Sequence, residues 1–137
     1  MDINLIPPSE LGKGSNIKLN VCEHEVDMYW KVAIEVLEVI AENNRKGEPT
    51  VMVVPYGPIG PYARLAYLVN KHRISLKNCV FINMDEYLVG DDETIPYENP
   101  LSFKATMDRV LYNNVRSELI MPKSQRLFPE PGREKEI

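Results

Sequence analysis

The stretch TVMVVP, residues 50–55, decides the fold because β-branched residues dominate it and no charged residue interrupts it. Such a run is typical of a strand that is buried on both faces, as in a parallel sheet covered by helices. A second run of this kind, NCVFIN at 78–83, follows after a helical stretch. Two buried strands separated by a helix predict an α/β protein whose strands lie parallel to each other.

Upstream of these runs, the sequence predicts one more strand and a long helix. The segment 17–22 alternates apolar and polar residues and therefore predicts a first strand. From 23 to 44 the apolar residues recur at steps of three and four, which is the spacing of an amphipathic helix. Gly47 is placed to cap that helix, and Pro49 prevents its continuation.

Two further helices are marked by prolines near their starts. Pro61 is placed at the first position of a helix that continues to His72. Asn99 is expected to cap a third helix, with Pro100 as its first residue. The alternation of strands and helices predicts an α/β protein with a three-layer, Rossmann-like parallel sheet and right-handed crossovers.

The chain length fits one domain. Its 137 residues lie within the usual size of a single folded unit. Residues 1–16 are rich in proline, glycine and serine and predict an N-terminal arm. We expect the α/β domain to span 17–131 and the remaining residues, 132–137, to form a tail.

Composition excludes several classes of partner. The net charge is −4 and no basic run is present, so nucleic acid is not expected as a partner. No apolar run reaches the roughly 18 residues of a membrane span, and no signal peptide is recognisable, so we expect a cytoplasmic protein without membrane contacts. Cys22 and Cys79 lie in apolar segments and are expected to be buried free thiols.

Ligands of parallel α/β proteins bind beyond the carboxyl ends of the strands, and two segments fall there. They are YGPIGP at 56–61 and the polar loop that begins with Asp85 and Glu86. Asp85 ends a buried run, where partial desolvation and the neighbouring charge of Glu86 would make it a better proton acceptor. The alternative is an acid that caps a turn or a nearby helix.

The glycines of the first loop have two interpretations. Backbone amides around Gly57 and Gly60, just before a helix, can hold a phosphate, but a plain turn explains the glycines equally. His24 and His72 lie near helix ends and need no function there. Since no pair of histidines or cysteines has metal-ligand spacing, we predict no metal site, and we predict no cofactor.

The core NMDEY at 83–87, followed by NPLSF at 99–103, resembles the glucosamine-6-phosphate deaminase (isomerase) family. The 6-phosphogluconolactonases are more distant relatives of that family. The likeness covers most of residues 17–131 and corresponds to the family's N-terminal half. The resemblance therefore implies half of the family's usual sheet, and we expect the domain to be truncated.

The resemblance also implies an activity and a set of site residues. The family opens the ring of an amino-sugar phosphate, isomerises it through an enediol-type intermediate and releases ammonia, so that glucosamine 6-phosphate becomes fructose 6-phosphate. The family's proton-transferring aspartate matches Asp85, and Gly57 matches its glycine-rich phosphate loop. Gly60, Glu86 and Tyr87 are then expected to support or contact the sugar phosphate.

Two departures from the family pattern leave alternatives open. Tyr56, Pro58 and Ile59 stand where the family loop offers hydroxyl groups, and proline has no amide hydrogen to donate. The family's ring-opening histidine lies in an Asp-Gly-His segment of its second half, which is absent here. We therefore expect an incomplete active site. The alternatives are a sugar-phosphate sensor without catalysis, a lactonase-like hydrolase, and an assembly domain whose open sheet edge forms a homo-oligomer.

Overall fold

The computed structural model describes residues 6–90 and 93–132. Parts of the predicted arm, polar loop and tail, namely residues 1–5, 91–92 and 133–137, lie outside the described residues. The helices and strands, in chain order, are α1 (Glu25–Lys46), β1 (Thr50–Val54), α2 (Gly60–His72), β2 (Cys79–Asn83), α3 (Phe103–Val110) and β3 (Arg126–Leu127). Short 3₁₀ turns occupy Pro8–Glu10, Tyr112–Asn114 and Lys123–Gln125.

The three strands form one parallel sheet in the order β1-β2-β3. Thr50 pairs with Cys79 at the start of β1, and Ile82 pairs with Leu127 near the end of β2. The predicted α/β class and the parallel sheet are confirmed. Because successive right-handed crossovers step along the sheet in one direction, their helices cover the same face.

The core lies between that face of the sheet and the helices. Thr50 and Val54 of β1, and Cys79, Phe81 and Asn83 of β2, are buried there. Core residues from all three helices join them, among them Ala33, Leu65 and Met107. In the described residues, the three helices thus share one continuous hydrophobic cluster on one face of the sheet.

The expectation that the run 50–55 is buried on both faces is wrong. Val51 and Val53, which point away from the helices, are 63% and 56% exposed. On β2 the neighbouring Val80 and Ile82 are half-buried. A continuous apolar run shows only that both faces of a strand can be buried. In the described residues, helices pack against one face of this sheet.

The predicted first strand at 17–22 is also wrong. These residues belong to no helix or strand, and all but the half-buried Cys22 are exposed. Alternation of apolar and polar residues satisfies the local preference of a strand. A strand also needs a neighbouring edge for its backbone hydrogen bonds, and this segment pairs with none in the described part of the chain.

Helix positions follow the predictions more closely, with one shift. Gly47 caps α1 with a left-handed backbone at φ 72°, and its amide bonds back to carbonyl oxygens of the last turn, as predicted. Pro61 lies in the first turn of α2. The third helix begins at Phe103 rather than Pro100, because Ser102 is its N-cap and accepts a hydrogen bond from the amide of Ala105.

Candidate functional site

The loops that follow β1 and β2 meet at the carboxyl edge of the sheet. The backbone amide of Tyr56 donates a hydrogen bond of 3.4 Å to Oδ1 of Asp85. The two strands are adjacent and in register up to Val54 and Asn83, so their loops leave the sheet side by side. The predicted meeting of the two loops at this edge is therefore present in the structure.

Asp85 itself is exposed, so its expected partial desolvation is wrong. The strand ends at Asn83, and the two residues after it, Met84 and Asp85, are both exposed. Beneath this edge, Tyr62 donates its hydroxyl hydrogen to the carbonyl oxygen of Pro55. Burial raises the pKa of Tyr62, and the charges of Tyr112 and Asp85 add smaller increases. Asp85 therefore lies near a neutral buried phenol.

Glu86 anchors the start of α3. Its carboxylate oxygens accept hydrogen bonds from the amides of Phe103 at 2.9 Å and Lys104 at 2.8 Å, and from the hydroxyl of Ser102 at 3.2 Å. The amide of Tyr87 also donates to it at 3.0 Å. A carboxylate at a helix N-terminus satisfies unpaired amides and interacts favourably with the helix dipole. Glu86, expected to support substrate, has the capping role that was the alternative for an acid here.

Three aromatic rings surround this edge. Tyr56 and Phe103 stack with ring centroids 3.7 Å apart and planes 13° from parallel. Tyr87 packs against Phe103 at 4.7 Å and remains 48% exposed. Sequence reasoning did not assign Phe103 to the site. The available signal was its place as the last residue of the NPLSF motif, which carries part of the family resemblance.

The two predicted loop glycines have different surroundings. Gly57 is exposed, a Cβ built on it would contact nothing, and the peptide to Pro58 is cis. Gly60 opens α2, and a Cβ there would overlap the ring of Tyr29 on α1. Gly57 is therefore available to a ligand, whereas the space beside Gly60 is filled by the ring of Tyr29 where α1 packs against α2.

Two curated proteins match the chain in sequence. They are the glucosamine-6-phosphate deaminases of Aliivibrio fischeri strains MJ11 and ATCC 700601 / ES114, each 32% identical over 88 residues, which is 63% of this chain and 31% of theirs. Over these residues the chain is similar to glucosamine-6-phosphate deaminases. The resemblance carried by NMDEY and NPLSF is confirmed, although no protein-family profile matches the chain. The matched part spans about a third of the length of these deaminases.

A solved structure supports the fold of the chain. A monomeric glucosamine-6-phosphate deaminase of the NagB superfamily aligns with a TM-score of 0.69 at 19% identity. The alignment covers 86% of this chain and 44% of that structure. None of these proteins is named as a sensor or a lactonase, so the comparisons do not favour those alternatives.

Glu86 also lines a small polar cavity. The cavity has a volume of about 110 Å³, and Tyr97, Ser102 and Lys104 are among its lining residues. The ammonium group of Lys104 forms an ion pair with Glu130 at 2.8 Å. Because this cation is already paired, the cavity offers a phosphate less positive charge than its lysine suggests.

The described part of the chain contains neither a membrane-spanning helix nor a cluster of metal-ligating side chains. In residues 6–90 and 93–132, no helix combines the length and apolar character that crossing a bilayer requires. The same residues contain no group of three histidine, cysteine or acidic side chains placed to hold a metal ion.

Proposed function

We propose that this chain forms one part of an amino-sugar phosphate site in which Asp85 is the proton-transferring base. The observation that carries the proposal is the hydrogen bond from the amide of Tyr56 to Oδ1 of Asp85. That bond fixes the carboxylate between the loops that follow β1 and β2. The relation to glucosamine-6-phosphate deaminases gives the reaction class.

The chemistry assigned to Asp85 is a proton transfer between neighbouring carbons of an open-chain amino sugar. Oδ2 accepts the hydrogen of C2 as an enediol-type intermediate forms, and the same oxygen returns it to C1. The 3.4 Å hydrogen bond from the amide of Tyr56 to Oδ1 favours one orientation of the carboxylate, which lowers the entropic cost of the transfer. Exposed Tyr87 offers an aromatic face and a hydroxyl at the same edge.

Ring opening is not assigned to any residue of this chain. The family's Asp-Gly-His segment does not occur in the sequence, so we infer that these 137 residues bind the sugar without releasing ammonia. A cytoplasmic location likewise stays a prediction.

Calorimetric titration with glucosamine 6-phosphate tests the binding proposal. Saturable binding is expected, and Asp85→Asn is expected to weaken it about tenfold, the value of one hydrogen bond to a charged group. Glu98→Gln, a neutralised exposed acid in the same loop, is the control and should bind like the unchanged chain. Absence of saturable binding, or equal effects of both variants, would refute the assignment of Asp85.

Two further measurements separate the parts of the proposal. Ammonia release, followed by a coupled assay, is expected at the uncatalysed rate, and catalysed release would show that the chain is complete as an enzyme. Titration with unphosphorylated glucosamine reports how much the phosphate contributes. We expect a small difference, because Pro55, Pro58 and Pro61 donate no amide hydrogens around the loop.

A further inference from the structure

One peptide unit links a buried tyrosine to Asp85. The carbonyl oxygen of Pro55 accepts a hydrogen bond from the hydroxyl of Tyr62, and the amide of Tyr56 donates at 3.4 Å to Oδ1 of Asp85. That carbonyl and that amide belong to the same peptide bond, which is trans. Because a trans peptide is planar and its C=O and N–H point in opposite directions, the bond to Tyr62 restricts the direction of the N–H.

Tyr62 is itself held by the hydrophobic core. It lies in the first turn of α2, is 8% exposed and belongs to the main core cluster. Burial raises the pKa of its phenol, so the hydroxyl keeps its hydrogen and acts as a donor to the carbonyl of Pro55. A donor fixed in this way transmits the position of the core to the loop that follows β1.

The residues on either side of this peptide bond are restrained as well. The ring of Tyr56 stacks on Phe103 with centroids 3.7 Å apart, and the amide of Phe103 donates to Glu86 at 2.9 Å. On the other side, the proline ring fixes the backbone dihedral φ of Pro55. The hydroxyl of Tyr62 opposes the rotation that remains, which is the turning of the peptide plane about its own axis.

We propose that Tyr62 is a positioning residue for Asp85. Its hydroxyl aims the amide of Tyr56 at Oδ1 and leaves Oδ2 for the sugar, so the inference rests on the proposed role of Asp85. A hydrogen bond accepted by the carbonyl of Pro55 also strengthens donation by the N–H of the same peptide, since linked hydrogen bonds polarise one another. Tyr62 acts through this peptide unit, without contact to the substrate.

Tyr62→Phe tests the proposal, because it removes the hydroxyl and keeps the ring. The readout is the amide resonance of Tyr56 in NMR spectra of the 137-residue chain, recorded as acidification protonates Asp85. In the unchanged chain this amide proton should shift upfield as the carboxylate loses its charge, and Asp85→Asn should abolish the shift. Tyr62→Phe should reduce the shift to about half or less, since a hydrogen bond weakens steeply when its N–H turns away from the acceptor.

The matched control is Tyr67→Phe, which removes the hydroxyl of another tyrosine of α2, 53% exposed. This variant should keep the full response of the Tyr56 amide. A full response in Tyr62→Phe would overturn the proposal, and so would a Tyr56 amide that does not respond to Asp85 in the unchanged chain.

A measurement without any substitution covers the case in which Tyr62→Phe fails to fold. Exchange of the Tyr62 hydroxyl hydrogen for deuterium should produce an isotope shift at the carbonyl carbon of Pro55, because that hydrogen lies in the bond between them. Absence of the isotope shift would overturn the proposal.

Sugar binding separates this inference from the proposed function. In calorimetric titration with glucosamine 6-phosphate, Tyr62→Phe should weaken binding about fivefold, the value of one neutral hydrogen bond, whereas Tyr67→Phe should not. If Asp85→Asn weakens binding but Tyr62→Phe leaves binding and the Tyr56 response intact, the positioning role is wrong and the proposed function stands. If no sugar binds while Tyr62→Phe still reduces the response, the proposed function is wrong and the control of Asp85 by Tyr62 stands.

Discussion

Gly60 lies directly against the ring of Tyr29, so that a Cβ at this position would overlap the ring. The contact joins the first turn of α2 to the second turn of α1. The guanidinium of Arg64 lies over the same ring, 5.2 Å from its centroid. The tyrosine ring therefore has little room to move, and glycine is required for a packing reason at a position where a ligand role was predicted.

Gly60→Ala is expected to destabilise the protein. Overpacking of this kind costs about 1–3 kcal/mol, and the helix preference of alanine returns up to about 1 kcal/mol. The free energy of unfolding, measured by urea denaturation, should therefore fall. Gly57→Ala is the matched control, because a Cβ there meets nothing within 4 Å.

A double variant identifies the cause of that loss. If the overlap with the ring is responsible, Tyr29→Ala should remove most of the cost of Gly60→Ala in the same chain. Equal costs of Gly60→Ala with and without the tyrosine ring would contradict the packing explanation.

Glu86→Gln is expected to lower the free energy of unfolding by about 1–3 kcal/mol. Glutamine keeps one acceptor oxygen, whereas the carboxylate accepts bonds from the amides of Phe103 and Lys104 and the hydroxyl of Ser102. Denaturant titration measures the change. Glu98→Gln, an exposed acid of the same loop, should be nearly neutral; comparable losses for both glutamine variants would argue against the anchoring role.

Removal of the central ring at the sheet edge should loosen both loops. Phe103→Ala abolishes the stack with Tyr56 and the contact with Tyr87, and we expect a loss of about 1–3 kcal/mol for this half-buried side chain. Thermal unfolding followed by near-ultraviolet circular dichroism reports both stability and tyrosine packing. Leu101→Ala, 60% exposed and two residues earlier, is expected to leave both unchanged.

Alkaline pH should destabilise the fold through buried groups whose pKa is raised, among them Tyr62, described above. Burial raises the pKa of the Cys79 thiol from 9.0 to about 11 and that of Tyr112 from 10.0 to about 12. Each group ionises first in the unfolded chain, so its stabilising effect is complete below the unfolded pKa and is lost as pH rises through the folded one. Each group costs about 1.4 kcal/mol per pH unit within its window.

The window between pH 9 and 10 isolates the thiol, because unfolded tyrosine is still largely protonated there. Cys79→Ala should flatten the pH dependence of unfolding in that interval, whereas Cys22→Ala, at a half-buried position, should not. Stability that stayed constant from pH 8 to 11 would contradict the buried-thiol explanation.

Local signals in the sequence were sufficient for β1 and β2 and for most helix ends. The β-branched runs at 50–55 and 78–83 gave β1 and β2, and Gly47 gave the end of α1, because each depends on neighbouring residues in the chain. The short β3 was not predicted. Arg126 and Leu127 carry no strand pattern of their own, and they form a strand only because the edge of β2 is beside them.

Tertiary contacts explain the features that were predicted wrongly from the sequence. The third helix was expected to begin at Pro100, but Glu86, distant in sequence, supplies acceptors for the amides at Phe103 and Lys104 and so favours the later start. For the site, the sequence predicted that the loops after β1 and β2 both lie beyond the carboxyl ends of the strands. It did not give the exposure of Asp85, which depends on what packs over the sheet edge.

Asn83 ends β2 inside the protein, two residues before Asp85. Its side-chain amide donates to the carbonyl oxygen of Leu127 at 2.9 Å and to the hydroxyl of Tyr112 at 3.3 Å. These two hydrogen bonds of Asn83 therefore fix the end of β2 and the position at which the acidic loop begins. Substitutions farther along that loop should change the side chains that face a ligand without changing the position at which the loop leaves the sheet.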